Sequence, residues 1–120
     1  CGIERVYVHE RHFKSVVDGL VAFAEKLNLG DPRDPATTLG PMVKTAAANA
    51  VRKQIDKAVG LGARALVDSR KFATDNKHTA YLAPQILIEC DHSMAIMNEE
   101  TFGPVDGGQV LRGGRQVHER

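Results

Sequence analysis

Met97-Asn98-Glu99-Glu100-Thr101-Phe102-Gly103-Pro104 is the most specific stretch of this 120-residue sequence. Its Gly-Pro pair predicts a fixed turn, because proline holds φ at roughly −65° and pushes the preceding residue into extended geometry. Side chains two positions apart in extended chain project to the same side, so Glu100 and Phe102 are expected to face a ligand together. A carboxylate beside a ring suits a small group that is both polar and flat, such as a ribose with its attached ring. On composition alone, a surface acidic pair beside a buried Phe is the commoner arrangement.

The composition is that of an ordinary globular protein with room for one domain, at 42% hydrophobic and 26% charged residues. The 16 basic and 15 acidic residues give a net charge of +1. Because there is also no basic stripe with interleaved aromatics, no nucleic-acid partner is expected. No apolar run approaches the roughly 18 residues that a membrane span needs, and the start does not resemble a signal peptide. We therefore expect a cytoplasmic protein with no membrane partner.

Cysteine and histidine spacing gives no disulfide or metal signature. Cys1 and Cys90 lie far apart and outside any C-x-x-C arrangement, which indicates reduced thiols. Among the histidines only His9 and His12 are close in sequence, and a solvated pair is the commoner interpretation, so no metal is predicted. Cys90 follows an apolar segment and is expected to fill the core or a loop, since free cysteine is among the most buried residue types.

Hydrophobic periodicity predicts an α/β chain. Alternating and three-to-four-residue patterns, together with their flanking glycines and prolines, indicate five elements. These are a strand at Arg5 to His9, a helix at Arg11 to Leu27, a helix at Thr45 to Val59, a strand at Ala63 to Val67 and an extended segment at Tyr81 to Ile88. Crossovers in such a pattern favour parallel pairing. Pro84 argues for a sheet edge or a bulge in the last segment.

The character of the sequence changes after Val105. Residues 106–115 contain four glycines in ten positions and almost no apolar pattern. We therefore expect one domain over residues 1–105 and an aberrant or disordered tail over residues 106–120. A shifted reading frame, a truncated end or a cloning scar would give such a tail, and so would a flexible natural terminus.

Four motifs in a fixed order carry a family resemblance. They are Cys1-Gly2-Ile3-Glu4-Arg5-Val6-Tyr7-Val8, Gly40-Pro41-Met42-Val43, Tyr81-Leu82-Ala83-Pro84 and the E-E-x-F-G-P element at Glu99 to Pro104. In this order and spacing the sequence resembles the aldehyde dehydrogenase superfamily over residues 1 to about 105. The resemblance implies the carboxy-terminal portion of a catalytic domain, with a mostly parallel sheet and flanking helices.

The resemblance also implies a function for the parent enzyme. In the family, a cysteine thiolate attacks an aldehyde, the thiohemiacetal passes hydride to a nicotinamide, and water hydrolyses the resulting thioester to a carboxylic acid. The implied cofactor is NAD or NADP, bound mainly by parts absent from this chain, since no G-x-G-x-x-G loop is present. A small aldehyde is the implied substrate, the parent is expected to be a homo-oligomer, and the chain alone is expected to be inactive. The alternative is a non-catalytic α/β module or pseudo-enzyme remnant that acts through protein interaction.

Individual site residues follow from matching the family motifs. The family nucleophile stands five positions before an arginine, whereas Cys1 stands four before Arg5. Cys1 therefore matches the neighbour of the nucleophile better, with a catalytic Cys1 kept as the alternative. Glu100 corresponds to the glutamate that hydrogen-bonds the nicotinamide ribose, and Phe102 to the aromatic packed beside it. Many members also carry a Gln and a Lys or Arg early in the helix after the Gly-Pro turn, where this sequence has Ala47 and Ala50. This departure argues against a cofactor contact from that helix.

Overall fold

The computed structural model describes residues 2–111 and shows a four-stranded sheet with helices on both faces. Its elements in chain order are β1 (Arg5–His9), α1 (Glu10–Glu25), α2 (Thr45–Gly60), β2 (Arg64–Ala65), a 3₁₀ turn (Ser69–Lys71), β3 (Gln85–Ile88), α3 (Ala95–Asn98) and β4 (Val105–Leu111). The strand order is β1-β4-β3-β2, with β1–β4 and β4–β3 parallel. The predicted α/β class with a mostly parallel sheet is confirmed. No helix among the described residues is long and apolar enough to cross a membrane.

Two features of the sheet differ from the sequence prediction. β2 pairs antiparallel with β3, because the chain between them returns through a loop and a 3₁₀ turn with no helical crossover. β3 lies between β4 and β2, so the edge or bulge expected from Pro84 is wrong. Pro84 is buried immediately before the first residue of β3, a position where a strand tolerates proline because the ladder has not begun.

β4 corrects the predicted boundary at residue 105. Residues 106–111, assigned from sequence to an aberrant or disordered tail, form most of an interior strand, and Gly107 pairs with Arg5 on one side and Leu87 on the other. A Cβ atom at Gly107 would lie 2.8 Å from the Sδ of Met97, so glycine lets α3 pack closely against the sheet. This packing outweighs the low strand propensity of glycine. The rest of the predicted tail, residues 112–120, lies outside the described residues.

The core has two layers that meet at β3, all four residues of which are buried. On one face of the sheet, Leu87 packs with residues of α2 and α3 and with Cys90. On the other face, Ile86 packs with α1 and the loops that follow α1 and β2. Successive strand residues point to opposite faces, so β3 joins the two layers. The sheet and α3 thereby form a fixed base for the segment between α3 and β4.

Candidate active site

The Glu99–Pro104 loop is held at both ends by buried structure. Before it, Ile96 and Met97 of α3 are 2% and 1% exposed, and the Glu99 N–H donates to the Ala95 carbonyl at 2.8 Å. After it, the Pro104 carbonyl accepts from the Gln85 N–H at 2.8 Å, where the chain enters β4. A loop fixed in this way presents its side chains in defined directions.

Within the loop, the backbone turns tightly around Phe102. The Gly103 N–H donates to the Thr101 carbonyl at 3.0 Å, which closes a three-residue turn. Thr101 is buried, whereas Glu100 and Phe102 on either side of it are exposed, Phe102 by 75%. Exposure therefore alternates as the extended-chain argument predicts, and the commoner arrangement with a buried Phe does not occur.

Glycine at position 103 allows the turn to rest on α2. A Cβ atom built there would lie 2.9 Å and 3.2 Å from the two methyl carbons of Val51, a buried residue of α2. Any larger residue would push the loop away from the helix and shift Phe102. The Phe-Gly-Pro sequence thus encodes both the turn and its close contact with α2.

A cavity of about 220 Å³ opens between this loop and the beginning of the chain. Its lining consists of two segments, residues 2–4 and residues 100–103. Pockets that hold a whole small molecule measure roughly 300–1,000 Å³, so this cavity suits one part of a larger ligand. Its two charged lining residues, Glu4 and Glu100, are both acidic, which favours a group that donates hydrogen bonds over an anion such as phosphate.

Glu4 and Arg5 connect the two sides of the cavity. Glu4 Oε1 accepts a hydrogen bond from the Thr101 N–H at 3.0 Å, and Arg5 Nη1 donates to the Met97 carbonyl at 2.8 Å. Sequence reasoning missed these contacts, because it interpreted Arg5 as part of a strand and Glu4 only as part of a motif. An acidic and a basic residue at the start of β1 do not by themselves indicate partners more than 90 positions away.

Asp106 adds a further carboxylate near the loop and close to Glu4. Burial raises the pKa of Asp106, and the neighbouring Glu4 carboxylate raises it further. A raised pKa shows that negative charge is unfavourable at this position. An anionic ligand placed beside Glu4 and Asp106 would meet the same repulsion, whereas neutral hydroxyl groups would not.

Of the two cysteines, the structure describes only Cys90. Cys90 is 4% exposed, and burial, with a smaller effect of Asp91, raises the pKa of its thiol to about 11. Since the thiolate is the nucleophilic form, Cys90 is unreactive at neutral pH, and its predicted place in the core is confirmed. Cys1 lies outside the described residues.

Comparison with known proteins places the chain in a family. The sequence profile described as the aldehyde dehydrogenase family matches residues 1–107. The vanillin dehydrogenase of Pseudomonas fluorescens is 36% identical over 110 residues, which are 92% of this chain and 21% of that protein. The succinate-semialdehyde dehydrogenase (NADP(+)) of Mycobacterium avium is 33% identical over 102 residues, 85% of this chain and 21% of that protein.

Solved structures agree with these relatives. Aldehyde dehydrogenase 21 from Physcomitrella patens, in complex with the reaction product succinate, matches with a TM-score of 0.80 and 30% identity over 91% of this chain and 21% of that one. Betaine aldehyde dehydrogenase from Staphylococcus aureus, in complex with NAD+, matches with a TM-score of 0.78 and 27% identity over 91% of this chain and 22% of that one. The chain thus spans about a fifth of the length of the relatives it matches. It belongs to the aldehyde dehydrogenase family.

Proposed function

We propose that this chain supplies the nicotinamide-ribose grip of an NAD(P)-dependent enzyme that oxidises an aldehyde to a carboxylic acid. Glu100 accepts hydrogen bonds from the ribose hydroxyls, and Phe102 packs beside the ribose. One observation carries the proposal: a carboxylate and an aromatic ring are both exposed at the mouth of one cavity, on a loop that is fixed at both ends.

The residues fit the group chemically. An ionised carboxylate has two oxygens and only accepts hydrogen bonds, so it can take one from each of two vicinal hydroxyls. A phenyl ring adds flat apolar contact without a competing polar group. The small acidic cavity suits a neutral diol, and the phosphates of the cofactor would be bound outside it.

When bound, the nicotinamide supplies the hydride acceptor for the oxidation. The part of this chain is to hold the ribose and so fix the orientation of the attached ring. Relatives include a protein named for NADP(+) and a structure with NAD+, and the proposal applies to either cofactor. The methyl groups of Ala47 and Ala50 provide no polar contact, and the proposal places the ribose contacts on the loop.

We further propose that the chain by itself does not oxidise aldehydes. The cavity is too small for a complete dinucleotide, and the sequence has no G-x-G-x-x-G loop to hold the pyrophosphate. The purified chain should give no absorbance increase at 340 nm with NAD or NADP and a panel of aldehydes. Reduction above a blank without protein would contradict this inactivity.

The grip itself is best tested in a joined enzyme, in which this chain replaces the matching 110-residue segment of the Pseudomonas fluorescens vanillin dehydrogenase. Hydride transfer is sensitive to placement on the scale of an ångström, so Glu100→Gln should lower the single-turnover rate of nicotinamide reduction by roughly 10- to 100-fold. Cofactor affinity should change less, because most of the dinucleotide is bound elsewhere. Phe102→Ala should act in the same direction through lost packing.

Glu99→Gln is the matched control, because Glu99 is also exposed but does not line the cavity. It should stay close to the unmutated joined enzyme. If Glu99→Gln abolishes the rate and Glu100→Gln preserves it, the ribose ligand is Glu99. If neither glutamate nor Phe102 affects the rate, the grip is contradicted.

A further inference from the structure

We propose that Glu4 is a positioning residue that locks the ribose-gripping loop onto the segment formed by residues 2–4. The inference rests on the proposed function of Glu100 and Phe102, and it assigns to Glu4 the task of holding their shared backbone in place. Glu4 acts through Thr101 and does not itself contact the reacting groups.

The Glu4 side chain binds the backbone at the middle of the loop. Its Oε1 accepts from the backbone N–H of Thr101 at 3.0 Å, and Thr101 is the residue between Glu100 and Phe102. Hydrogen bonds to a charged acceptor are roughly twice as strong as neutral ones. Because Thr101 lies between Glu100 and Phe102, a displacement of its amide would move both gripping side chains together, and the bond to Glu4 opposes that displacement.

The Glu4 backbone is itself fixed by a hydrogen bond to β4. The Glu4 carbonyl accepts from the Gly107 N–H in β4 at 2.9 Å, beyond the far end of the loop. Arg5 next to it holds the Met97 carbonyl in α3, before the near end. The backbone of Glu4 and the side chain of Arg5 are thus bonded to the elements on either side of the loop, and from there the Glu4 side chain reaches the middle of the loop.

The negative charge of Glu4 is locally unfavourable. The Glu4 carboxylate lies close enough to half-buried Asp106 to raise the pKa of Asp106, so an acid at position 4 adds repulsion. A neutral glutamine would accept the same N–H without that repulsion. Relief of that repulsion offsets the weaker bond of a neutral acceptor, so the reach of the side chain to the Thr101 amide is the property that fixes the loop.

The chain order gives this bond its functional meaning. Glu4 stands three residues after Cys1, and Thr101 belongs to the loop that faces the cofactor. By the family match, the thiol that attacks the aldehyde lies immediately before Cys1 or at it. The Glu4–Thr101 hydrogen bond then joins residues 2–4, which follow that position in the sequence, to the ribose grip across the cavity that both segments line.

Three substitutions of Glu4 in the joined enzyme distinguish the effect of side-chain length from the effect of side-chain charge. Glu4→Ala removes the acceptor, Glu4→Asp keeps the charge but shortens the side chain, and Glu4→Gln keeps an acceptor oxygen at full reach. Ala and Asp should each lower the single-turnover rate of nicotinamide reduction by roughly 10- to 100-fold, whereas Gln should stay within a few-fold of the unmutated rate. Glu10→Ala, at an exposed glutamate in the first turn of α1, is the control and should leave the rate unchanged.

A second readout needs no cofactor. Hydrogen exchange of the backbone amide of Thr101, followed in the cofactor-free joined enzyme, should speed up at least tenfold in the Ala and Asp variants and not in the Gln variant. Should Glu4→Ala fail to fold, the contrast between Asp and Gln gives the same answer. Unchanged exchange and rate in the Asp variant would overturn the proposal, and so would a Gln variant as impaired as the Asp variant.

Failure of the ribose grip gives a different pattern. In that case Glu100→Gln and Phe102→Ala leave the rate unchanged, while Thr101 amide exchange still responds to Glu4→Asp. Failure of the Glu4 proposal alone leaves the Glu100 and Phe102 effects in place and removes the exchange response.

Discussion

Thr101 combines paired backbone groups with a side-chain hydroxyl that has no hydrogen-bond partner among the described residues. Its N–H is bound by Glu4, whereas its hydroxyl oxygen is buried without a hydrogen bond. A buried hydroxyl left unsatisfied costs about 1–3 kcal/mol, and valine has nearly the same shape without the polar atom. In the joined enzyme, Thr101→Val should therefore keep or raise the midpoint of thermal unfolding.

Thr101→Ser is the comparison, since it keeps the hydroxyl and removes a buried methyl group. It should lower the midpoint, by an amount that corresponds to about 1 kcal/mol. A fall with valine that exceeds the fall with serine would show that the hydroxyl has a stabilising partner, such as an ordered water.

Cys90 gives a residue-scale prediction that depends on pH. Its folded-state pKa of about 11 lies above the ordinary value of 9.0, so the protonated thiol is the form that folding favours. The associated stability is fully present below pH 9 and is lost as pH rises through about 11. At pH 8, iodoacetamide should leave Cys90 of the folded joined enzyme unmodified and alkylate it in urea, as read by peptide mass spectrometry. Rapid alkylation of the folded protein would show that the thiol is accessible and ionised.

At the scale of elements, one ion pair fastens α2 to the loop before β3. Arg52 Nη2 donates to Asp75 Oδ1 at 2.7 Å and to the Asn76 carbonyl at 3.1 Å, and Asp75 Oδ2 accepts from the Ala83 N–H at 3.0 Å. The side chains of Arg52 and Asp75 are only 17% and 15% exposed. Removing one partner of such a largely but not fully buried pair leaves the other charge uncompensated.

Arg52→Ala should therefore lower the free energy of unfolding by about 3–5 kcal/mol, and Arg52→Lys by less, because lysine keeps the charge without the planar fork. Lys14→Ala is the control: Lys14 pairs with Asp18 on the exposed face of α1, and such pairs contribute about 0.3–0.5 kcal/mol. Urea unfolding of the joined enzyme, with limited proteolysis across residues 72–83, measures both. Equal effects of the Arg52 and Lys14 substitutions would show that the buried pair does not fasten the loop.

Elements with a strong local pattern were predictable from the sequence. β1 follows from its alternating β-branched residues, and α2 from an alanine-rich stretch between a Gly-Pro turn and two glycines. β4 was not predictable, because Gly107 and Gly108 argue locally against a strand and the reason for them is contact with Met97 and with the neighbouring strands. The antiparallel pairing of β2 likewise depends on the path of a loop.

Within the candidate site, too, the features set by local sequence were predictable and the contacts between distant residues were not. The turn at Gly103 and the common exposure of Glu100 and Phe102 follow from local backbone rules. The support from Glu4 does not, since it joins positions 97 residues apart. Sequence patterns describe what a segment does by itself, and they leave out which distant segment holds it.

At the scale of the whole molecule, large apolar side chains lie open to solvent. Ile3, Phe23, Val43 and Phe102 are 78%, 67%, 89% and 75% exposed, and in the described part of the chain β1 and β2 form the borders of the sheet. Uncovered apolar groups and strand borders promote association. The isolated chain should therefore aggregate or be only partly ordered, as measured by light scattering after size exclusion. A monomer with a sharp cooperative melt would contradict this expectation.

The most direct test of the central claim is a crystal structure of the joined enzyme with NAD or NADP bound. We predict that the Glu100 carboxylate lies about 2.5–3.0 Å from the two nicotinamide ribose hydroxyls, with the Phe102 ring against the ribose and the Thr101 N–H still donating to the Glu4 carboxylate. A ribose held by Glu99, or one placed away from the cavity between residues 2–4 and residues 100–103, would contradict it.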